Sequence, residues 1–464
     1  MKSNLTADRT AIDMQTDTVP IRCFVDQELM PDDPARRQLE ELAAMEGVER
    51  YITVLPDVHY KERNPTPSGT VVVTSDVVFP RAIDDGINCG MRSMVTSVKA
   101  RDLTTKVIDE LFGRLLTAVP FKEHAEPLLT EEECEEVLVH GLEKAVGPLG
   151  LPPDECKRTE NGGKCDLGLD PEFVRRSLPR GPIRKERGSI GALGGGNHFL
   201  ELQEVVEILD PEGAKRLGLE LGDAMFMMHS DSRRIGKKIL KKVLQEAEAL
   251  HRKEGQSELW SIPIDSDVGQ RFLACLTATT HLGFVNRAAI TNIVRNTMRE
   301  VLGDPAFELK LVCDSGHETI QPEVHDGKKY WVHRHGASHA RPPGAGGPDP
   351  EIADLGHPVP LAGCLGMDSY ICLPGAGIGR SFCSGPHGAG RVLSKADAAE
   401  HYDPDVIEAE VRDMGVRLYR YHTDNIAGQA PRSFKNVAQV VNAMVANDLM
   451  RPVVRLRPLA ALKG

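Results

Sequence analysis

The sequence has no run approaching the roughly 18 apolar residues that a bilayer span requires, and its first twenty residues contain no apolar core of the sort a secretory leader carries. A cytoplasmic protein is expected. There is no basic excess either: 68 Asp and Glu outweigh 56 Lys and Arg, for a net charge of −12. This excludes binding of nucleic acid across a broad cationic face, because neutralising phosphates needs clustered positive charge. Any RNA site must be local, drawn from cations such as Arg233, Arg234, Lys237, Lys238, Arg334, Arg341, Arg380 and Arg391. The ten cysteines, at 23, 89, 134, 156, 165, 275, 313, 364, 372 and 383, form no CxxC and no dense framework, so they read as reduced thiols. Repeats of fixed period are absent, and no low-complexity tract exceeds the Pro/Gly-rich stretch 339–349.

What is present is ordinary globular composition, 41% hydrophobic and 27% charged, with 43 Gly and 31 Pro that point to many ordered loops. Length alone permits about three domains on a prior of roughly 150 residues each. A single composite domain over 1–464 is the simplest account. Strand-like runs fall at 70–78, 224–228, 311–313, 330–333 and 369–373, with helical segments between them. Thr130 and Glu133 make a capping box that opens a helix expected to close at Gly147. Apolar residues at helical spacing predict an amphipathic helix over 237–255, and 267–302 reads as one or two helices broken near Gly283.

Five segments carry chemistry. DDGINCGM at 84–91 sets two carboxylates four and five residues before Cys89, a hard oxygen and a soft thiolate in one turn. GGGNHFLE at 194–201 combines a backbone free to approach a ligand with Asn197, His198 and Glu201. MMHSDSR at 227–233 and VCDSGHE at 312–318 are apolar strands that run out into turns presenting His229 and His317. Any one of these, alone, also suits a structural turn or a packed histidine. SFCSGPHGAGR at 381–391 surrounds His387 with small residues, leaving its ring accessible beside Arg391. A neutral imidazole so placed can attack phosphorus and form a phosphoramidate, while a Gly-rich turn with an exposed histidine is the plainer alternative.

As an ordered set, together with LPDVH at 55–59 and Lys463, these segments resemble the RtcB RNA ligase family over essentially the whole chain. The resemblance implies an α+β fold with a central metal and nucleotide cleft. It implies GTP and manganese, two ions, as cofactors, with Cys89 shared between the ions and His198, His229 and His317 completing their shells. His387 corresponds to the histidine that becomes guanylylated. Asn197, Phe199, Glu201, Ser369, Gly388, Ala389, Gly390, Phe434 and Lys463 correspond to residues around the nucleotide, with Glu201 and Lys463 reading the guanine edge. Phe434 stands where many members carry tyrosine. The implied reaction joins an RNA 3′-phosphate or 2′,3′-cyclic phosphate to a 5′-hydroxyl, in tRNA splicing or RNA repair. RNA ends and an activating protein are the expected partners.

This chain departs from the family pattern in its turns. The family writes its metal turn Asp-x-x-Cys, whereas Gly86 stands three before Cys89; either a bulge in the turn lets Asp85 serve as the carboxylate ligand, or the second metal is weak or differently coordinated. Asp231 and Arg234 replace glycines in the turn after His229, and His335 replaces a lysine. These changes point to a divergent paralogue with altered substrate preference. Two alternatives stand beside ligation: a guanylyltransferase that caps 3′-phosphate ends without sealing, and a metal-dependent phosphodiesterase or end-binding protein.

Overall fold

Met225 to Met228 are apolar on both faces, and the strand they form, Asp223–Ser230, is buried along its whole length. A strand covered on both sides reads as a continuous apolar run instead of an alternation. It is central in an eight-stranded sheet of the computed structural model, which describes residues 3–5, 11–252, 258–345, 349–421 and 426–464. Its neighbours are Gly90–Lys99 on one side and Phe199–Ile208 on the other, followed by the long strand Met450–Lys463. Leu309–Gly316 closes the Gly90–Lys99 edge. A second, seven-stranded sheet includes Val48–His59, Ser68–Thr74, Lys328–His335 and Glu318–His325. The chain crosses from one sheet to the other at His317, the residue between Leu309–Gly316 and Glu318–His325.

The result is the expected α+β architecture. Asp267–Leu302 is one continuous helix of 36 residues, opened by the side chain of Ser266 and closed by Gly303 in the left-handed region. The expected break at Gly283 does not occur. Glycine is required there by packing, since a Cβ would lie 2.7 Å from the carbonyl oxygen of Asn88. The capping box at Thr130 forms as expected, but its helix, Glu131–His140, stops at Gly141 (φ 88°), six residues short of Gly147. The amphipathic helix is Arg233–His251; its expected end at 255 and part of the 339–349 stretch lie outside the described residues. No helix among the described residues is long and apolar enough to cross a membrane.

Candidate active site

Strand register builds the site. Gly90 pairs with both Ser230 and Gly316, and Met91 pairs with His229, which in turn pairs with Phe199. Cys89, His198, His229 and His317 therefore meet at the same end of four adjacent strands, although up to 228 residues separate them in sequence. The Cys89 Sγ lies 3.0 Å from His229 Nε2 and 3.4 Å from His198 Nε2, and His229 Nε2 is 3.1 Å from His317 Nε2. All four are buried.

Burial sets their protonation. It pushes His198 down to about 4 and His229 and His317 well below the ordinary imidazole range, so all three rings are neutral. Burial, then the Asp231 carboxylate, raises the Cys89 thiol. His229 Nδ1 faces the Asn197 carbonyl at 3.2 Å, and a proton shared there turns the bare Nε2 toward the cluster. Bonds of about 2.0–2.3 Å from nitrogen or sulfur to one ion place its ligands roughly 3–4 Å apart. The ligand atoms of Cys89, His229 and His317 all lie within 4.8 Å of one another, so this set fits a metal ion.

His387 adjoins the cluster, its ring centroid 4.5 Å from that of His317. Its Nδ1 lies 2.9 Å from Asp57 Oδ2 and 2.8 Å from the Gly336 carbonyl, and its backbone N–H donates to the same Asp57 oxygen at 3.1 Å. Two acceptors at Nδ1 fix the proton there and leave Nε2 with a free lone pair. Gly390 (φ 73°) lets the His387 loop lie against the strand that carries Asp57; a Cβ there would be 2.2 Å from the Asp57 carbonyl oxygen. Asp57 was not among the residues expected to act, although it lies within the 55–59 motif.

A cavity of about 380 Å³ opens in front of these groups. One wall carries Phe199, Glu201 and Lys463, brought together because Lys463 pairs with Phe199 across the sheet and Ala461 with Glu201. The Lys463 Nζ lies 5.4 Å from the Phe199 ring centroid. Burial raises Glu201 to about 7, against the pull of Lys463 and a hydrogen bond from Gln203. Gly388, Ala389, Gly390 and Phe434 line the cavity too, with the Arg391 guanidinium 4.3 Å over the Phe434 ring. Asn197 also lines it and accepts from Arg391 at 3.1 Å. Lys61, Lys237, Arg391, Lys395 and Lys463 all reach the cavity, beside the carboxyl groups of Asp84, Glu201, Asp231 and Glu318.

Two expected site residues stand elsewhere. Ser369 is buried behind the wall, where its Oγ accepts from Gly363 N (3.1 Å) and from Gln203 (3.2 Å), the residue that also holds Glu201. Asp85 points outward, 65% exposed and 3.8 Å from Arg81, because the turn directs Asp84 inward, onto Lys61 at 2.8 Å. Among the candidate cations, Arg334 is wholly buried and bound to Glu323 and Ser384, and Arg234 is paired with Glu186. His335 is also buried, with Nδ1 3.0 Å from Thr66 Oγ1.

Comparison with known proteins agrees with this geometry. The profile of the family described as tRNA-splicing ligase RtcB matches residues 38–464. The protein of that name from Thermococcus kodakarensis is 32% identical over 96% of this chain and 95% of its own length. Its counterpart from Pyrobaculum aerophilum is 31% identical over the same shares. The RNA-splicing ligase RtcB of Mycobacterium tuberculosis is 32% identical, covering 92% of this chain and all of the relative. The chain belongs to the RtcB family of tRNA-splicing ligases.

Proposed function

We propose that this protein is a GTP- and manganese-dependent RNA ligase that joins 3′-phosphate or 2′,3′-cyclic phosphate ends to 5′-hydroxyl ends, with His387 as the nucleophile and the whole chain acting as one catalytic domain. The observation that carries this reading is the hydrogen bonding of His387: Nδ1 is held by Asp57 and Gly336, and Nε2 is free beside a Cys/His cluster. Covalent nucleotidyl transfer would use such a histidine as its nucleophile, whereas a metal-activated water mechanism would use it only to move a proton.

Glu201 accepts from the N1–H and 2-amino groups of guanine, and Lys463 donates to O6. Adenine offers the opposite pattern. Arg391 and Lys395 meet the phosphates, with Asn197 beside them. His387 Nε2 attacks the α-phosphorus, a P–N bond forms, and the P–O bond to pyrophosphate breaks. The positive charge that develops on the imidazole is met by Asp57 at Nδ1. Cys89, His198, His229 and His317 would hold manganese, which when bound would neutralise phosphate oxygens and orient the in-line displacement. An oxygen of the RNA 3′-phosphate next displaces the histidine from phosphorus, leaving a guanylylated RNA end. Attack by the 5′-hydroxyl on the 3′-phosphorus then joins the strands and releases GMP.

Incubating a 3′-phosphate RNA and a 5′-hydroxyl RNA with GTP and manganese should give a joined product on a denaturing gel. A guanylylated 3′ end that never proceeds to joined product would contradict sealing, and cleavage without GTP would place the protein among phosphodiesterases.

A further inference from the structure

We propose that Asp231 is a metal ligand, which supplies, beside Cys89 and His198, the carboxylate that the 84–89 turn fails to present. The assignment rests on reading the Cys/His cluster as a metal centre and adds a specific residue to it.

The geometry shows an exchange of positions. A Cβ built on Gly86 would lie 3.3 Å from Asp231 Oδ2, 3.6 Å from Asp231 Cβ and 3.8 Å from Cys89 Cβ. The Asp231 carboxylate thus occupies the space beside Cys89 into which a side chain at position 86 would project. Aspartate is missing from position 86 and present at 231, where the family has aspartate and glycine respectively.

The orientation of Asp231 suits a ligand. Its side chain is only 10% exposed, and both hydrogen bonds from Arg233, from the backbone N–H at 2.8 Å and from Nη1 at 2.7 Å, fall on Oδ1. Oδ2 accepts no hydrogen bond among the described residues and lies beside Gly86, on the lining of the same cavity as Cys89 and His198.

The other nearby carboxylates are committed. Asp85 faces solvent, Asp84 is paired with Lys61, and Glu318 accepts the backbone N–H of Asp84 and of Gly336, each at 2.9 Å. A carboxylate oxygen with a thiolate and an imidazole is a donor set that suits manganese or zinc.

Titration of the metal-free full chain with Mn2+, followed by electron paramagnetic resonance and calorimetry, tests the assignment without any activity assay. The native sequence should bind two ions. Asp231→Asn keeps an acceptor for Arg233 and should retain one ion while the Kd of the other weakens at least about tenfold. Asp85→Ala should bind as the native sequence does. The double variant Gly86→Asp with Asp231→Gly should recover the second ion, because the carboxylate then returns from the opposite side; this arm decides the matter if Asp231→Asn does not fold. Two ions bound to Asp231→Asn at native Kd, or one ion in the native sequence that Asp231→Asn leaves unaltered, would overturn the role of Asp231 and leave the Cys89/His229/His317 centre standing. No binding by the native sequence would overturn the metal centre itself.

Discussion

Two polar clusters lie back to back across the 86–90 turn, and they are built on opposite principles. Behind the turn, Asp314 is fully buried between Arg92 (2.7 Å) and Arg287 (2.8 Å), Arg92 also pairs with Glu155, and Arg287 donates to the Asn88 carbonyl at 2.6 Å. Every contact there joins opposites. In front of it, one thiol and three imidazoles point at each other within 3.0–3.4 Å, and His387 stands alongside. Like groups crowded out of water gain nothing from each other, and their convergence calls for a cation between them. The rear cluster ties the strand ends and the 86–90 turn together through buried ion pairs and the Arg287 hydrogen bond to Asn88.

The comparison makes separable predictions: front substitutions should remove chemistry and spare stability, and rear substitutions should do the reverse. The largest effect is expected for Asp57→Ala. It frees the Nδ1 proton of His387 to move and removes the partner of the charged imidazole, so guanylylation should slow by about 10²–10⁴-fold, measured by single-turnover labelling, with the unfolding midpoint little changed. Next comes Asp314→Asn. Two buried guanidiniums then lose a charged partner, which should destabilise the fold by about 3–5 kcal/mol in denaturant titration while the folded fraction still guanylylates. Retained stability with lost chemistry would break the division of labour.

The smallest effect concerns pH. Burial raises Glu201 to about 7, and guanine recognition needs its ionised form. GTP affinity should therefore be constant well above pH 7 and fall as pH drops through 7, by up to about tenfold per unit below it. Calorimetric titration of GTP across pH checks the slope, and Glu201→Gln should bind GTP weakly with no such slope.

Much of the front cluster was legible in the sequence because Cys89, His198 and His317 stand directly beside buried strands and His229 is the last residue but one of another, and strand ends are where loops deliver side chains to a common edge. His229 and His317 show this most clearly. The rear cluster was not legible, since nothing in the spacing of Arg92, Glu155, Arg287 and Asp314 marks them as neighbours. Asp85 was misplaced because which of two adjacent aspartates turns inward depends on Lys61, distant in sequence. The hydrogen bonds that hold Ser369 to Gly363 and to Gln203, 166 residues away in sequence, could not be read from its spacing. The helix through Gly283 shows the same limit: a glycine that reads as a breaker is there to admit the Asn88 backbone.

The central claim is that His387 carries nucleotide, and transfer of label from α-labelled GTP to the protein in manganese measures it directly. Acid-labile label on the native protein that is absent from His387→Ala, with both proteins folded and binding metal, is the predicted result. Equal labelling of the two, or none on a metal-loaded native protein, would contradict the account.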